Sequence, residues 1–300
     1  VTLAAVPDGQ AEQDGIAVGE AAGWGTLAAR LGDGSQSGPS PAVPAPGTGV
    51  WQPIPPATSG LNPWIAVAKP YTLRRNDQFR PRPAALDSGR YRRDLDEVRR
   101  LGGAVSTERT AEQTEIARFW SDQPIAQNQR TLRNHAEKLS WGLPETARLF
   151  AAVLTSEADA FIACWDAKYH LGLWRPWQSV PLQEPGWAPL LGTPNHPEFP
   201  SAHGCLTGAL AHSLARLMGT EAIDLDIEAI TTNTTRHYRT AAQLIGEVGD
   251  ARIWGGLHYR FSVDAGTRIA ERSDRHLPVP AAVPGRRRRL RRQRRVPGGR

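Results

Sequence analysis

Proline placement constrains this chain more than any other feature. A proline inside a helix removes a hydrogen bond and clashes with the preceding turn, so dense proline marks where helices cannot run. Residues 34–63 hold Pro39, Pro41, Pro44, Pro46, Pro53, Pro55 and Pro56 among glycines and serines. Residues 176–200 hold Pro176, Pro181, Pro185, Pro189, Pro194, Pro197 and Pro200. Both stretches read as irregular connectors. Trp51 and Trp64 in the first predict that it lies against the body. Outside them the apolar residues recur at helical spacing. That spacing predicts helices over 91–101, 108–121, 125–139 and 144–173, the last stopped by Pro176. It predicts further helices over 201–218, 222–238, 240–254 and about 262–273, and an earlier one over 12–32 that closes at Gly32-Asp33-Gly34. Ser106 and Thr110 offer caps near the 108–121 start. No run alternates β-branched and polar residues as a strand does, so the fold class reads as all-α, a helical bundle. The expected organisation is an N-terminal segment over 1–88, with one helix and the proline-rich wrap packed on the body. A helical catalytic domain over 89–277 and a disordered arginine-rich tail over 278–300 follow.

Composition excludes several classes. The 300 residues are 40% hydrophobic and 22% charged, which is ordinary for a folded chain. No apolar run approaches the ~20 residues of a transmembrane helix, so no transmembrane segment is expected. The net charge is +6, but residues 285–300 carry nine arginines and no acid, so the rest of the chain stands at −3. The basic character therefore belongs to the tail, and no specific nucleic-acid partner is implied. Cys164 and Cys205 are the two cysteines and form no CxxC pair, which rules out a disulfide scaffold and a cysteine zinc site. Nothing near Val1 reads as a signal peptide, so an export signal is expected only upstream of this chain, and localisation is left open.

Three segments carry chemistry. The first is Lys168-Tyr-His-Leu-Gly-Leu-Trp-Arg175-Pro176. Lys168 is one of three lysines among 36 basic residues, and its neighbours Ile162, Trp165, Leu171, Leu173 and Trp174 are apolar. Lys168 and Arg175 are two helical turns apart, which predicts that they share one face. A buried cationic pair calls for a buried anion. The second segment is Glu198-Phe-Pro-Ser201-Ala202-His203-Gly204. It places a capping serine and a histidine at a helix start, where free N–H groups and the dipole favour an anion. The third, Arg252-Ile-Trp-Gly-Gly-Leu-His258, sets an arginine and a histidine around two glycines. Taken singly, each has a bland reading: solvated charges, a cap with a chance histidine, helix packing. Together they suit one tetrahedral oxyanion, phosphate or vanadate, with cations to neutralise it and two histidines for bonding and proton transfer.

In this order the motifs resemble the signature of the vanadium-dependent haloperoxidases, shared with class A acid phosphatases and type 2 phosphatidic acid phosphatases. Residues 109–120, 158–168 and 187–205 resemble the bacterial haloperoxidase branch in particular. The resemblance implies a helical bundle of that type, with vanadate as cofactor and phosphate as its competitor. It implies that His258 bonds vanadium, or attacks phosphorus in a phosphatase. Lys168, Arg175 and Arg252 would hold oxygens, helped by the Ser201 hydroxyl and the N–H near Ala202, and His203 would serve as acid–base. Lys168 would also polarise bound peroxide for attack by halide.

The chain departs from the family pattern in places. Ala202 stands where glycine is usual, and Ala251 where serine precedes the arginine. Ser262 stands where a phosphatase has the aspartate that orients the second histidine, with Asp264 the nearest carboxylate along the chain. Two neighbours bear on halide choice: Trp165 resembles the chloride-using enzymes, and His196 the bromide-using ones. The expected partners are hydrogen peroxide, halide and a small organic acceptor, with a homodimer left open.

Overall fold

A computed structural model describes residues 6–35 and 42–278. The arginine-rich tail and its expected disorder lie outside the described residues. The helices are α1 (Gln10–Ala29), α2 (Gly89–Gly102), α3 (Ala111–Phe119), α4 (Pro124–Lys138), α5 (Leu143–Leu171), the short α6 (Pro176–Ser179), α7 (Ala202–Met218), α8 (Ala241–Trp254) and α9 (Arg260–Arg275). Their starts follow local chemistry. Ser88 caps α2 through Tyr91 N, and Thr110 and Thr240 form capping boxes with Gln113 and Gln243 on α3 and α8. Among the described residues the fold is mainly helical, with one two-stranded sheet.

That sheet corrects the helix expected over 222–238. Strands β1 (Ala222–Ala229) and β2 (Thr234–Thr240) form an antiparallel hairpin, with Leu225 opposite Tyr238 and Ile227 opposite Arg236. Ile223, Leu225, Ile227 and Ala229 are buried and alternate with Asp224, Asp226 and Glu228. That period of two belongs to a strand with one face on the core. The turn needs a residue at positive φ, and Asn233 supplies it at 51°.

Helix α1 is also unlike its expectation, because none of its residues is buried. Its apolar side chains are spread around the cylinder, so no single stripe can dock. Its junction with the body runs through the following residues: Arg30 lies over the Tyr71 ring at 4.2 Å, and Lys69 N donates to Asp33 O at 2.6 Å. The proline-rich wrap does meet the body. Trp51 is buried, and two acids of α5 bind the stretch that follows the wrap. Asp159 accepts from Tyr71 N, Thr72 N and Oγ1, and Leu73 N, while Asp166 takes a two-pronged grip from Arg80 at 2.8 Å per bond.

The layer that matters most for function is α5, α7 and α9. Cys164 of α5, Cys205 and Ala209 of α7 and Ile269 and Ala270 of α9 share one apolar cluster. The α7–α9 crossing is close enough to exclude side chains: a Cβ on Gly266 would lie 2.5 Å from Ser201 O, and one on Gly204 3.0 Å from Val263 O. Ser201 N then donates to Ser262 O at 3.1 Å, which pins the start of α7 against the start of α9.

Farther along the α4–α5 contact, Glu157 is buried with Asn128 Nδ2 donating to it at 2.7 Å. Burial pushes the Glu157 carboxyl up to about 8. In the unfolded chain it ionises near its ordinary 4.5. Between those two values the unfolded state gives up its proton and the folded state keeps it, so stability falls as pH rises. Glu157→Gln keeps an oxygen for Asn128 and removes the ionisation. The variant is expected to be more stable at pH 7, by on the order of 2–4 kcal/mol from ~1.4 kcal/mol per pKa unit. The gain should vanish near pH 4, and thermal melts across that range check it.

Candidate active site

The segments singled out above meet in the interior. Lys168 sits in the last turn of α5, fully buried. Its Nζ donates to Pro197 O and Glu198 O, each at 2.9 Å. Burial draws the Lys168 ammonium down to about 8. Arg175 does not share a helix face with it, as the seven-residue spacing predicted. Helix α5 ends at Leu171, where Gly172 takes the left-handed conformation at φ 55°, and Arg175 then caps α6. The arginine reaches the same place from the loop. Its Nε donates to His196 O at 2.9 Å and its Nη1 to Leu257 O at 3.0 Å. Its Nη1 also lies 3.4 Å from His258 Nε2, and its Nη2 3.0 Å from His196 Nδ1.

Arg252 comes from the last turn of α8 and donates through Nη1 to Trp120 O at 2.5 Å. After it, Gly256 turns at φ 76°, where a Cβ would lie 2.3 Å from Gly102 O, so only glycine fits the approach of this loop to α2. His258 follows, buried, with Nδ1 2.8 Å from Glu198 Oε1. Its pKa lies well below 6.5, through burial first and then the charges of Arg175, Lys168 and Arg252. His203 occupies the first turn of α7 and is likewise held well below 6.5, by burial and then Arg252, with Lys168 and Arg175 contributing. These influences reach both histidines from the same three cations. Trp165 and His196 stand beside them, ring centroids 4.9 Å apart, with Lys168 Nζ 5.7 Å from the Trp165 ring.

Residues 148–276 match the family model "VCPO second helical-bundle domain". Among solved structures the chain is similar to a bacterial vanadium-dependent iodoperoxidase, with 28% identity and a TM-score of 0.71, over 80% of this chain and 62% of that one. It is similar in fold to apo and holo forms of a bacterial vanadium-dependent chloroperoxidase, at 18% and 19% identity and TM-scores of 0.60 and 0.59. Each of those matches covers 72% of this chain and 54% of the chloroperoxidase. The fold is that of the vanadium haloperoxidase family. The search of curated proteins found no match. The chain thus spans about three-fifths of the iodoperoxidase's length and about half of the chloroperoxidase's.

The vanadium haloperoxidase reading can be tested on the polar atoms of the site. Ser201 is the N-cap of α7, yet its hydroxyl makes no capping bond. Ser201 Oγ, His203 Nε2 and Arg252 Nε are all buried without a hydrogen-bond partner. Unpaired buried polar atoms are rare, and each calls for a ligand or a water. Here they come from two of the motifs, beside three buried cations and the first-turn N–H groups of α7, Ala202 among them. That donor set fits an oxyanion such as vanadate. It does not resemble a cage for a bare metal ion: among the described residues no cluster of three His, Cys, Asp or Glu side chains is placed to hold one.

The sequence reading missed Glu198. Asp264, the nearest carboxylate along the chain, is exposed and pairs with Arg90 at 2.7 Å. Glu198 is fully buried and is the carboxylate against His258. The available signal was the demand for a buried anion beside Lys168 and Arg175, with Glu198 the acid next to Pro-Ser-x-His.

Proposed function

We propose that this chain is a vanadate-dependent haloperoxidase-type enzyme that oxidises halide with hydrogen peroxide. The observation that carries the reading is that the charges of Lys168, Arg175 and Arg252 act on both His203 and His258, whose motifs also hold the unpaired Ser201 Oγ and His203 Nε2. Bound vanadate supplies a Lewis-acidic centre at which peroxide oxygen becomes electrophilic toward halide. The residues do the rest. His258 Nε2 would hold the vanadium. The three cations and the donors at Ser201 and Ala202 would neutralise and order the oxygens of vanadate. Lys168 Nζ would polarise a peroxide oxygen held there. His203 Nε2, neutral in the free protein, would accept a proton from hydrogen peroxide and return it as hypohalous acid leaves. Trp165 and His196 stand on the halide side. The balance is one peroxide, one halide and one proton to hypohalous acid and water, and the hypohalous acid would then halogenate a small organic acceptor.

A phosphomonoesterase is the second reading, and one contact favours it. A carboxylate against Nδ1 of His258 strengthens Nε2 as the nucleophile that would form a phosphohistidine. Two assays separate the readings. Halogenation of a phenol probe with peroxide and iodide, bromide or chloride should depend on added vanadate and fall as phosphate competes. Turnover of p-nitrophenyl phosphate without any halogenation would replace the first reading with the second.

A further inference from the structure

We infer that Glu198 is the positioning residue that fixes which nitrogen of His258 faces the oxyanion site. A neutral imidazole carries one N–H and one lone pair, and the partner of one nitrogen decides the state of the other. Glu198 Oε1 accepts from Tyr259 N at 3.1 Å and lies 2.8 Å from His258 Nδ1. One oxygen thus grips two successive residues, the ring through its edge and the next peptide through its N–H. An oxygen already accepting from a backbone N–H favours a second donor, so Nδ1 carries the hydrogen. The other side of the ring agrees. Nε2 lies 3.4 Å from Arg175 Nη1, and a guanidinium has only donors to offer. Both neighbours select the tautomer with its lone pair on Nε2, the form able to bond vanadium or phosphorus.

This selection does not depend on whether Glu198 holds a proton. Arg175 presents only donors to Nε2 in either case, so the lone pair stays on that nitrogen and Nδ1 carries the hydrogen. The backbone of Glu198 adds a second task. Its carbonyl accepts from Lys168 Nζ at 2.9 Å, and its N–H donates to Leu173 O at 2.9 Å. One residue in the loop before α7 therefore ties the end of α5, which carries Lys168, to the loop after α8, which carries His258. A carboxylate behind a metal-bound histidine orients the ring and is worth about 10–100-fold in affinity.

The consequence for vanadate rests on the proposed function, and the tautomer does not. Long-range proton–nitrogen correlation spectra of the metal-free protein read the tautomer, with His258 assigned by the signal lost in His258→Ala. Wild type should show His258 protonated on Nδ1. Glu198→Ala should lose that preference, and its affinities for vanadate and for phosphate should fall about 10–100-fold. Glu198→Gln, whose amide oxygen can meet both N–H donors, should keep the tautomer and recover most of the binding. A wild-type His258 protonated on Nε2 overturns the inference. So does Glu198→Ala with a single Nδ1–H form and affinity within twofold of wild type. If the alanine variant does not fold, a folded Glu198→Gln with its His258 switched to Nε2–H overturns it equally. Wild type that binds neither anion would sink the haloperoxidase reading, while the spectra would still decide what Glu198 does.

Discussion

His258→Ala should abolish stoichiometric vanadate binding, and Lys168→Ala should weaken it. The expectation follows from how few bonds the site offers the metal. His258 Nε2 is the one nitrogen assigned to vanadium, and the rest of the affinity comes from charge. A hydrogen bond to a charged group contributes about 1.5–3 kcal/mol, which is roughly 10- to 150-fold in affinity. Losing the Lys168 ammonium should therefore cost about that much and leave measurable binding. Part of the loss will be indirect, because Lys168 also holds the carbonyls of Pro197 and Glu198. Those carbonyls are left without their donor in the alanine variant, and the loop before α7 loosens. Calorimetric titration with vanadate, repeated with phosphate as competitor, separates the two variants. Unchanged binding in both would refute the assignment of the site.

What the sequence made legible was the helical body, because most helices present a stripe of period 3.6 and their ends carry caps such as Thr110 and Thr240. The hairpin escaped because its apolar run is short. Ala222–Ala229 alternates isoleucine and leucine with acids over eight residues, too few to outweigh the helices on either side. Helix α1 was legible as a helix but not as an unpacked one, since its composition is apolar and only the arrangement around its axis shows that no face can dock. Among the candidate residues, the order of the three motifs placed Lys168, Ser201, His203, Arg252 and His258 on the correct local elements. It misjudged Arg175, because Gly172 ends α5 before the spacing of seven can act. Glu198 was hidden for a different reason. Its contact with His258 spans 60 positions of sequence, and no local periodicity reports a pairing that only the loop's return path creates.

His203→Ala is expected to lower turnover far more than it lowers vanadate affinity. His203 lies in the first turn of α7, where the helix dipole and the unpaired N–H groups disfavour a cation. Burial and the nearby Arg252 push the same way, so the imidazole of the free protein is neutral well below pH 6.5. A neutral ring at that place can take a proton from peroxide and give it back, a task worth about 10²–10⁴-fold in rate. In the proposed mechanism it makes no bond to the metal, so removing it should cost binding only one hydrogen bond, about 0.5–1.5 kcal/mol or roughly 2- to 13-fold. The paired measurement is vanadate titration and halogenation rate at saturating vanadate, in wild type and variant. The rate profile should differ as well, since an acid limb set by His203 is present in wild type and absent from the alanine protein. A variant with full turnover would remove His203 from the mechanism. A variant that loses vanadate as severely as His258→Ala would instead exchange the roles of the two histidines, making His203 the metal ligand and His258 the proton carrier.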